Sequence, residues 1–306
     1  VSASIKTFKM RSIIYLVLCF VISFVGFAQD NLKYLQQKAP STTPEKFAPD
    51  LISTKSEYEF GSVFNKDGTA FYYGVDTGSN SEIRFTELKG DSWTKPKTIL
   101  SSSKYGFNDP FLSPDEKRLY FISQRSLDGK GAKNDHDIWY VEKRGNSWSE
   151  PINAGPNINT KSNEYYISFT ENGTMYFSSN QGSATFQQKS FDIYYSEFKN
   201  GEFQEAVKLS EAINTQYYEA DVFIDPKEQY IIFCANRPEG LGRGDLYISF
   251  KNADGTWTKS VNMGNMINTK GHELCPYVSS DGKYFFYTSN QDIYWVSTKV
   301  FDKLRK

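Results

Sequence analysis

The chain has 306 residues and a formal net charge of −1, with 35 basic and 36 acidic residues and no basic run. That balance removes the electrostatic footprint a nucleic-acid or anionic-membrane partner requires, and the length allows one large domain or two small ones. The 24 Phe, 21 Tyr and 5 Trp, set among frequent turn formers, suit many short strands better than a helical bundle.

The first 28 residues read as an export signal. Lys6, Lys9 and Arg11 precede the apolar run "SIIYLVLCFVISFVGF", which ends at Gly26-Phe27-Ala28 with small residues where a signal peptidase reads. Cleavage after Ala28 is expected, giving an exported protein, periplasmic or extracellular, with no stable membrane insertion. The rival reading is a run retained as an anchor. Cys19 lacks the small preceding residue that lipidation requires. Of the other cysteines, Cys234 and Cys275, export permits a disulfide, and two free buried thiols are the expected state.

Residues 29 to 43 have little pattern and read as a linker, ahead of a repeating region from 44 to 300 and a tail from 301 to 306. The repeat is anchored by hairpin turns: "NKDGTAFYY", "SPDEKRLYFIS", "TENGTMYFSS", "DPKEQYIIFCA" and "SSDGKYFFYTS". Asp-Gly and Asn-Gly between apolar strands favour hairpins because both residues tolerate positive φ. The anchors Asp67, Asp115, Asn172, Lys227 and Asp281 recur about every 50 to 55 residues, the spacing of propeller blades.

Each unit then predicts a third strand, opening at Glu82, Asp137, Asp192, Asp245 or Asp292, and four units a fourth, marked by Trp93, Trp148, Phe203 and Trp257. Three units end in "NINT", "AINT" and "MINT" around Asn159, Asn214 and Asn268. The fifth unit stops after its third strand, while an unmatched fragment, "PEKFAPDLISTK", stands before the first. If Phe47, Pro49 and Leu51 complete the last blade, the ring closes and no sheet edge is left open.

The turns "SPDEK" and "SSDGK", the strand ends "YFIS", "YFSS" and "YTS", and the "D-I-Y" step resemble the WD40-like β-propeller repeat family, the TolB-like propellers of exported bacterial proteins. The resemblance covers residues 44 to 298. It implies an all-β, five-bladed propeller of four-stranded antiparallel blades that serves as a binding platform. With five units and no separate N-terminal domain the chain departs from TolB, whose envelope role is not carried over.

An acid stands eight positions before four of the anchors: Glu59, Glu164, Glu219 and Glu273. Blade two has Phe107 there and Asp109 two places on, and Asp221 holds the place of Asp109 in blade four. Inner strands line a propeller's channel, so these six acids are candidates for one channel mouth, where a like-charged cluster would bind a cation or raise one carboxylate's pKa. The competing reading is that a residue repeated in nearly every blade meets a local backbone need. Asp137, Asp192, Asp245 and Asp292 read as acceptors of local hydrogen bonds. No cofactor is expected: "LDGKGAKNDHD" lacks the spacing of a calcium hand, so calcium is a weak candidate, and His136 and His272 form no zinc-type pair.

No nucleophile elbow or phosphate loop occurs. The segments that vary between blades lie at 124 to 136, 181 to 191 and 237 to 244, around the same mouth. They nominate Arg125, Lys130, Lys133, His136, Phe186, Arg237 and Arg243 as one recognition surface for an envelope protein or a glycan. The alternative is a glycoside-processing enzyme drawing on Asp109, Glu164, Asp221 and Glu219.

Overall fold

The computed structural model describes residues 32–182 and 190–305, so the segment read as an export signal and Phe186 lie outside the described residues. Five small antiparallel sheets stand in a ring, forming a five-bladed β-propeller. From the axis outward, blade one is Tyr58–Phe64, Ala70–Asp76, Ser81–Lys89 and Lys97–Leu100. Blade two is Asn108–Leu112, Arg118–Arg125, Ala132–Arg144 and Ile152–Asn153. Blade three is Glu164–Phe169, Met175–Ser179, Asp192–Ser196 and Val207–Lys208. Blade four is Tyr218–Ile224, Tyr230–Asn236, Asp245–Phe250 and Val261–Asn262. Blade five is Leu274–Val278, Tyr284–Ser289 and Asp292–Ser297, completed by Glu45–Lys46. Each innermost strand touches the next, and the fifth touches the first.

The hairpin anchors all lie between first and second strands. Only the second residue of each pair is left-handed: Gly68, Glu116, Gly173, Glu228 and Gly282 have φ of 69, 58, 91, 54 and 70°. A glycine fits there without a Cβ clash, so the two glutamates carry a local cost that the flanking strands override.

Ring closure joins the two ends of the domain. Glu45 and Lys46 pair with Trp295 and Tyr294, and the Phe47 amide continues the ladder to the Ile293 carbonyl at 2.8 Å. Phe47 is fully buried, with the rings of Phe71, Phe286 and Trp295 at 5.4, 5.2 and 5.1 Å. The strand therefore begins two residues before Phe47, and Leu51, expected to help complete it, is 42% exposed.

The stretch read as a linker also packs on the propeller. Tyr34 and Leu35 are buried, Tyr34 meets Phe64 and Tyr284 edge-on at 5.0 Å each, and Trp93 Nε1 donates to the Leu32 carbonyl at 2.7 Å. At the other end, Phe301 is buried against Phe285 and Tyr230.

The Asn-Thr segments join neighbouring blades. The side chain of Asn159 accepts from the Ile138 amide and donates to the Ile138 carbonyl; Asn214 does the same with Ile193, and Asn268 with Leu246. Each amide thus stands in for a backbone group of a neighbouring strand, at the point where the chain leaves one blade for the next.

Truncating Phe47 removes a fully buried ring from the closure. Phe47→Ala is expected to lower unfolding stability by about 3–5 kcal/mol. Urea denaturation measures it; a loss under about 1 kcal/mol would show that closure does not depend on this side chain.

Candidate functional site

The five innermost strands share a defect at the same place. Gly61, Asp109, Tyr166, Asp221 and Cys275 all have left-handed φ, of 55, 49, 44, 50 and 53°, and at each the ladder to the second strand slips. Each stands six residues before its turn anchor. These are β-bulges, and they bend the strands where the five converge.

The bulge residues meet across the axis. Cys275 Sγ–H donates to Asp109 Oδ1 at 3.4 Å, the Cys275 amide is near enough to Asp221 to favour its carboxylate form, and the Gly61 amide likewise favours the Cys275 thiolate. Tyr166, itself buried, reaches the Pro276 carbonyl with its hydroxyl at 2.9 Å. Together they floor the channel. Above them, on the face of the variable loops, opens a cavity of about 1220 Å³. Its wall includes Tyr58, Phe60, Tyr165, Phe191 and Tyr218, a set of amides, His136 and His272, and its floor includes Asp109, Asp221 and Cys275. The opposite mouth, around Phe111, Phe169 and Tyr277, holds only about 110 Å³.

Asp109 and Asp221 keep a little exposure to the cavity but are crowded by protein on every other side. Burial raises the Asp109 pKa to about 7, the Asp221 charge adds to it, and the Cys275 thiol opposes it. Burial likewise raises Asp221 to about 6 against the Cys275 amide. Cys275 and Cys234 are both free thiols, and burial raises each well above its ordinary value.

The four glutamates do not open onto the channel, which corrects their placement at its mouth. Glu59, Glu164, Glu219 and Glu273 have no exposed surface, and each holds the threonine five or four residues before it. The Thr160, Thr215 and Thr269 hydroxyls donate to their glutamates at 2.7, 2.6 and 2.7 Å, their amides donate as well, and Thr54 does the same for Glu59. A further donor comes from the second strand. Ser179 and Ser289 donate to Glu164 and Glu273 at 2.9 and 2.8 Å. Opposite Glu219 stands Ala235, and Arg237 takes over with Nε at 3.0 Å; opposite Glu59 stands Val75, and Glu59 Oε2 finds no partner among the described residues. Burial raises Glu164 to about 7.

Arg237 is therefore not part of a recognition surface. It is 7% exposed, its guanidinium also donates to Ser260 Oγ and the Ile213 carbonyl, and it lies over the Tyr247 ring at 4.5 Å. Arg125 is its counterpart in blade two, where Phe107 replaces the glutamate. It lies over Trp139 at 4.9 Å with a buried Nε that has no partner among the described residues. Lys133 is tied to Asp135 at 3.0 Å and to Asp137. Lys130 and Arg243 are exposed. Of the nominated loop residues, His136 lines the cavity: its Nδ1 meets Tyr165 Oη at 2.7 Å, and burial lowers its pKa.

The aspartates opening the third strands serve local structure. Asp192 and Asp292 pair with Lys208 and Lys46 at 2.7 and 2.5 Å, Asp137 accepts from Asn153, and Asp245 accepts from Asn262 and two loop amides. Among the described residues no group of three or more His, Cys, Asp or Glu side chains is placed to hold a metal ion. None of the described helices is long and apolar enough to cross a membrane.

No protein-family model matches the sequence, and no curated protein matches it. Among solved structures, the chain is similar to a protein of unknown function from Dyadobacter fermentans, at 16% identity and a TM-score of 0.51, over 86% of this chain and 84% of that one. It is also similar to a thermostable family-43 glycoside hydrolase, at 14% identity and a TM-score of 0.51, over 80% of this chain and 91% of that one. TolB from Acinetobacter baumannii aligns at 15% identity and a TM-score of 0.48 over 78% of this chain, which spans 54% of that TolB. At these identities the likeness shows the fold.

Two predictions follow from the buried charges. Carboxylates whose folded pKa is raised hold more protons folded than unfolded, so their contribution is greatest below the ordinary aspartate range and is lost as pH rises through about 6 to 7. Asp109→Asn and Asp221→Asn should each raise the melting temperature at about pH 8 by roughly 2–4 °C and leave it unchanged near pH 4. Equal effects at both pH values would show that these groups titrate alike folded and unfolded. Separately, Arg237→Ala strands Glu219 in the interior and should cost about 3–5 kcal/mol in denaturant melts, whereas Arg243→Ala should cost under about 0.5 kcal/mol.

Proposed function

We propose that the chain is an exported, non-enzymatic binding module that takes a glycan in the channel cavity on its variable-loop face. The observation that carries this reading is the cavity itself: about 1220 Å³, concave, walled by aromatic rings and edged by amides. Flat rings such as Tyr58, Tyr165 and Tyr218 offer faces for sugar C–H surfaces. Three of the amides are fixed at their oxygens: Asn108 accepts from Ser81, Asn163 from the His136 amide at 3.1 Å, and Asn180 from the Asn163 amide at 2.7 Å. Each keeps its NH₂ group for a ligand hydroxyl.

A second reading, glycoside processing, draws on the Asp109 and Asp221 pair, two carboxylates with raised pKa values on either side of Cys275. Glu164 and Glu219, the other acids that reading invoked, are spent in the threonine clamps.

A glycan array followed by calorimetry on the best hit tests the binding reading. Tyr58→Ala and Tyr218→Ala are each expected to weaken the hit about tenfold, with melting temperature held within a few degrees. A hit that survives both substitutions would move recognition off the channel. Turnover of the hit that disappears in Asp221→Asn would favour the enzyme.

A further inference from the structure

The floor of the cavity has a charge problem that the chain does not solve. Among the described residues Asp109 receives one side-chain hydrogen bond, from the Cys275 thiol at 3.4 Å, and Asp221 is favoured as a carboxylate by the Cys275 amide alone. No lysine, arginine or histidine among the described residues acts on either carboxylate; the groups facing them are Cys275 and the phenols of Tyr58, Tyr165, Tyr166 and Tyr218. Lys161, exposed, also lines the cavity and is not among the groups acting on either carboxylate, while Arg237 is engaged on Glu219 and Lys133 on Asp135 and Asp137. His136 and His272, both on the cavity wall, have pKa values lowered by burial, which keeps them neutral near pH 7.

Rings surround this unpaired charge. Tyr58, Phe60, Tyr165 and Tyr218 line the same cavity above the two aspartates. Space beside Asp109 is kept by the bulge residue of blade one: a Cβ at Gly61 would sit 2.9 Å from Asp109 Oδ1. An aromatic wall favours an organic cation over a neutral group of the same shape through the ring quadrupole.

We propose that the channel floor is an organic-cation site, and that the group of the ligand reaching Asp109 and Asp221 is an ammonium, protonated or quaternary. This rests on the channel being the ligand pocket. It specifies which end of the ligand enters first, and among glycans it selects amino sugars over neutral or N-acetylated ones. The ammonium supplies the counter-charge that both carboxylates lack, and the rings cover its alkyl or ring carbons.

The test is an NMR or calorimetric titration of the signal-free chain with two matched pairs: choline against its neutral isostere 3,3-dimethylbutanol, and glucosamine against N-acetylglucosamine. The charged member of each pair should bind about tenfold or more tightly than the neutral one. Asp109→Asn and Asp221→Asn should remove that preference without weakening the neutral member. Choline keeps its charge at every pH, so its affinity should rise from about pH 5 to 8 as the two carboxylates ionise. Equal affinity within both pairs, no binding of either cation, or displacement of choline by equimolar calcium would each overturn the proposal. Equal binding of both sugars would leave the glycan reading standing, whereas choline binding without any array hit would keep the cation site and remove the glycan reading.

Discussion

Five strands converging on one axis cannot all stay regular, and the bulge in each inner strand is how this chain meets that constraint. Every slip in the ladder falls at the same distance from its turn anchor, so five left-handed residues gather at one level of the channel. A left-handed tyrosine or cysteine costs on the order of 1–2 kcal/mol locally. Tyr166 and Cys275 hold that geometry because they are buried and bonded across the axis, Tyr166 to the Pro276 carbonyl and Cys275 to Asp109. The level they occupy divides the channel into a broad upper cavity and a slight lower one.

The clamps around the ring work differently, by repeating one solution. A buried glutamate fixes the threonine that ends each inter-blade connection, and the second strand supplies a further donor. Where the serine is missing, blade four substitutes an arginine and blade one leaves an oxygen with no partner among the described residues. Blade two abandons the clamp altogether, with Phe107 in the glutamate's place and Arg125 turned onto Trp139. The ring tolerates one blade without the device because Phe107 is itself buried against Phe121.

The blades were legible in the sequence because their signals are local: turn pairs, apolar strands and a fixed spacing. Closure was legible as a missing strand at one end and a spare one at the other, although the strand proved to be Glu45–Lys46 with Phe47 as its plug. The channel floor was not, since Gly61, Asp109, Tyr166, Asp221 and Cys275 share a backbone conformation and no chemistry. Arg237 was assigned to a loop face because it follows the second strand, yet its side chain turns back into the blade. The clue was available two residues earlier, where Ala235 faces Glu219 while serines serve two of the other glutamates. Packing of Tyr34 and Leu35 had no periodic signature, because an irregular segment held by ring contacts has no repeat to read.

Closure also imposes an order in time. Ser53 and Ile293, joined by a hydrogen bond across the seam, are 240 residues apart in the chain. A ribosome delivers the Glu45–Lys46 strand first and its partner last, so blades one to four can assemble as they emerge while the fifth waits for the final strand. During that interval Phe47, fully buried at the end, has no pocket to fill. The same seam that leaves the finished ring without an edge makes the unfinished ring depend on whatever shields that segment until synthesis is complete.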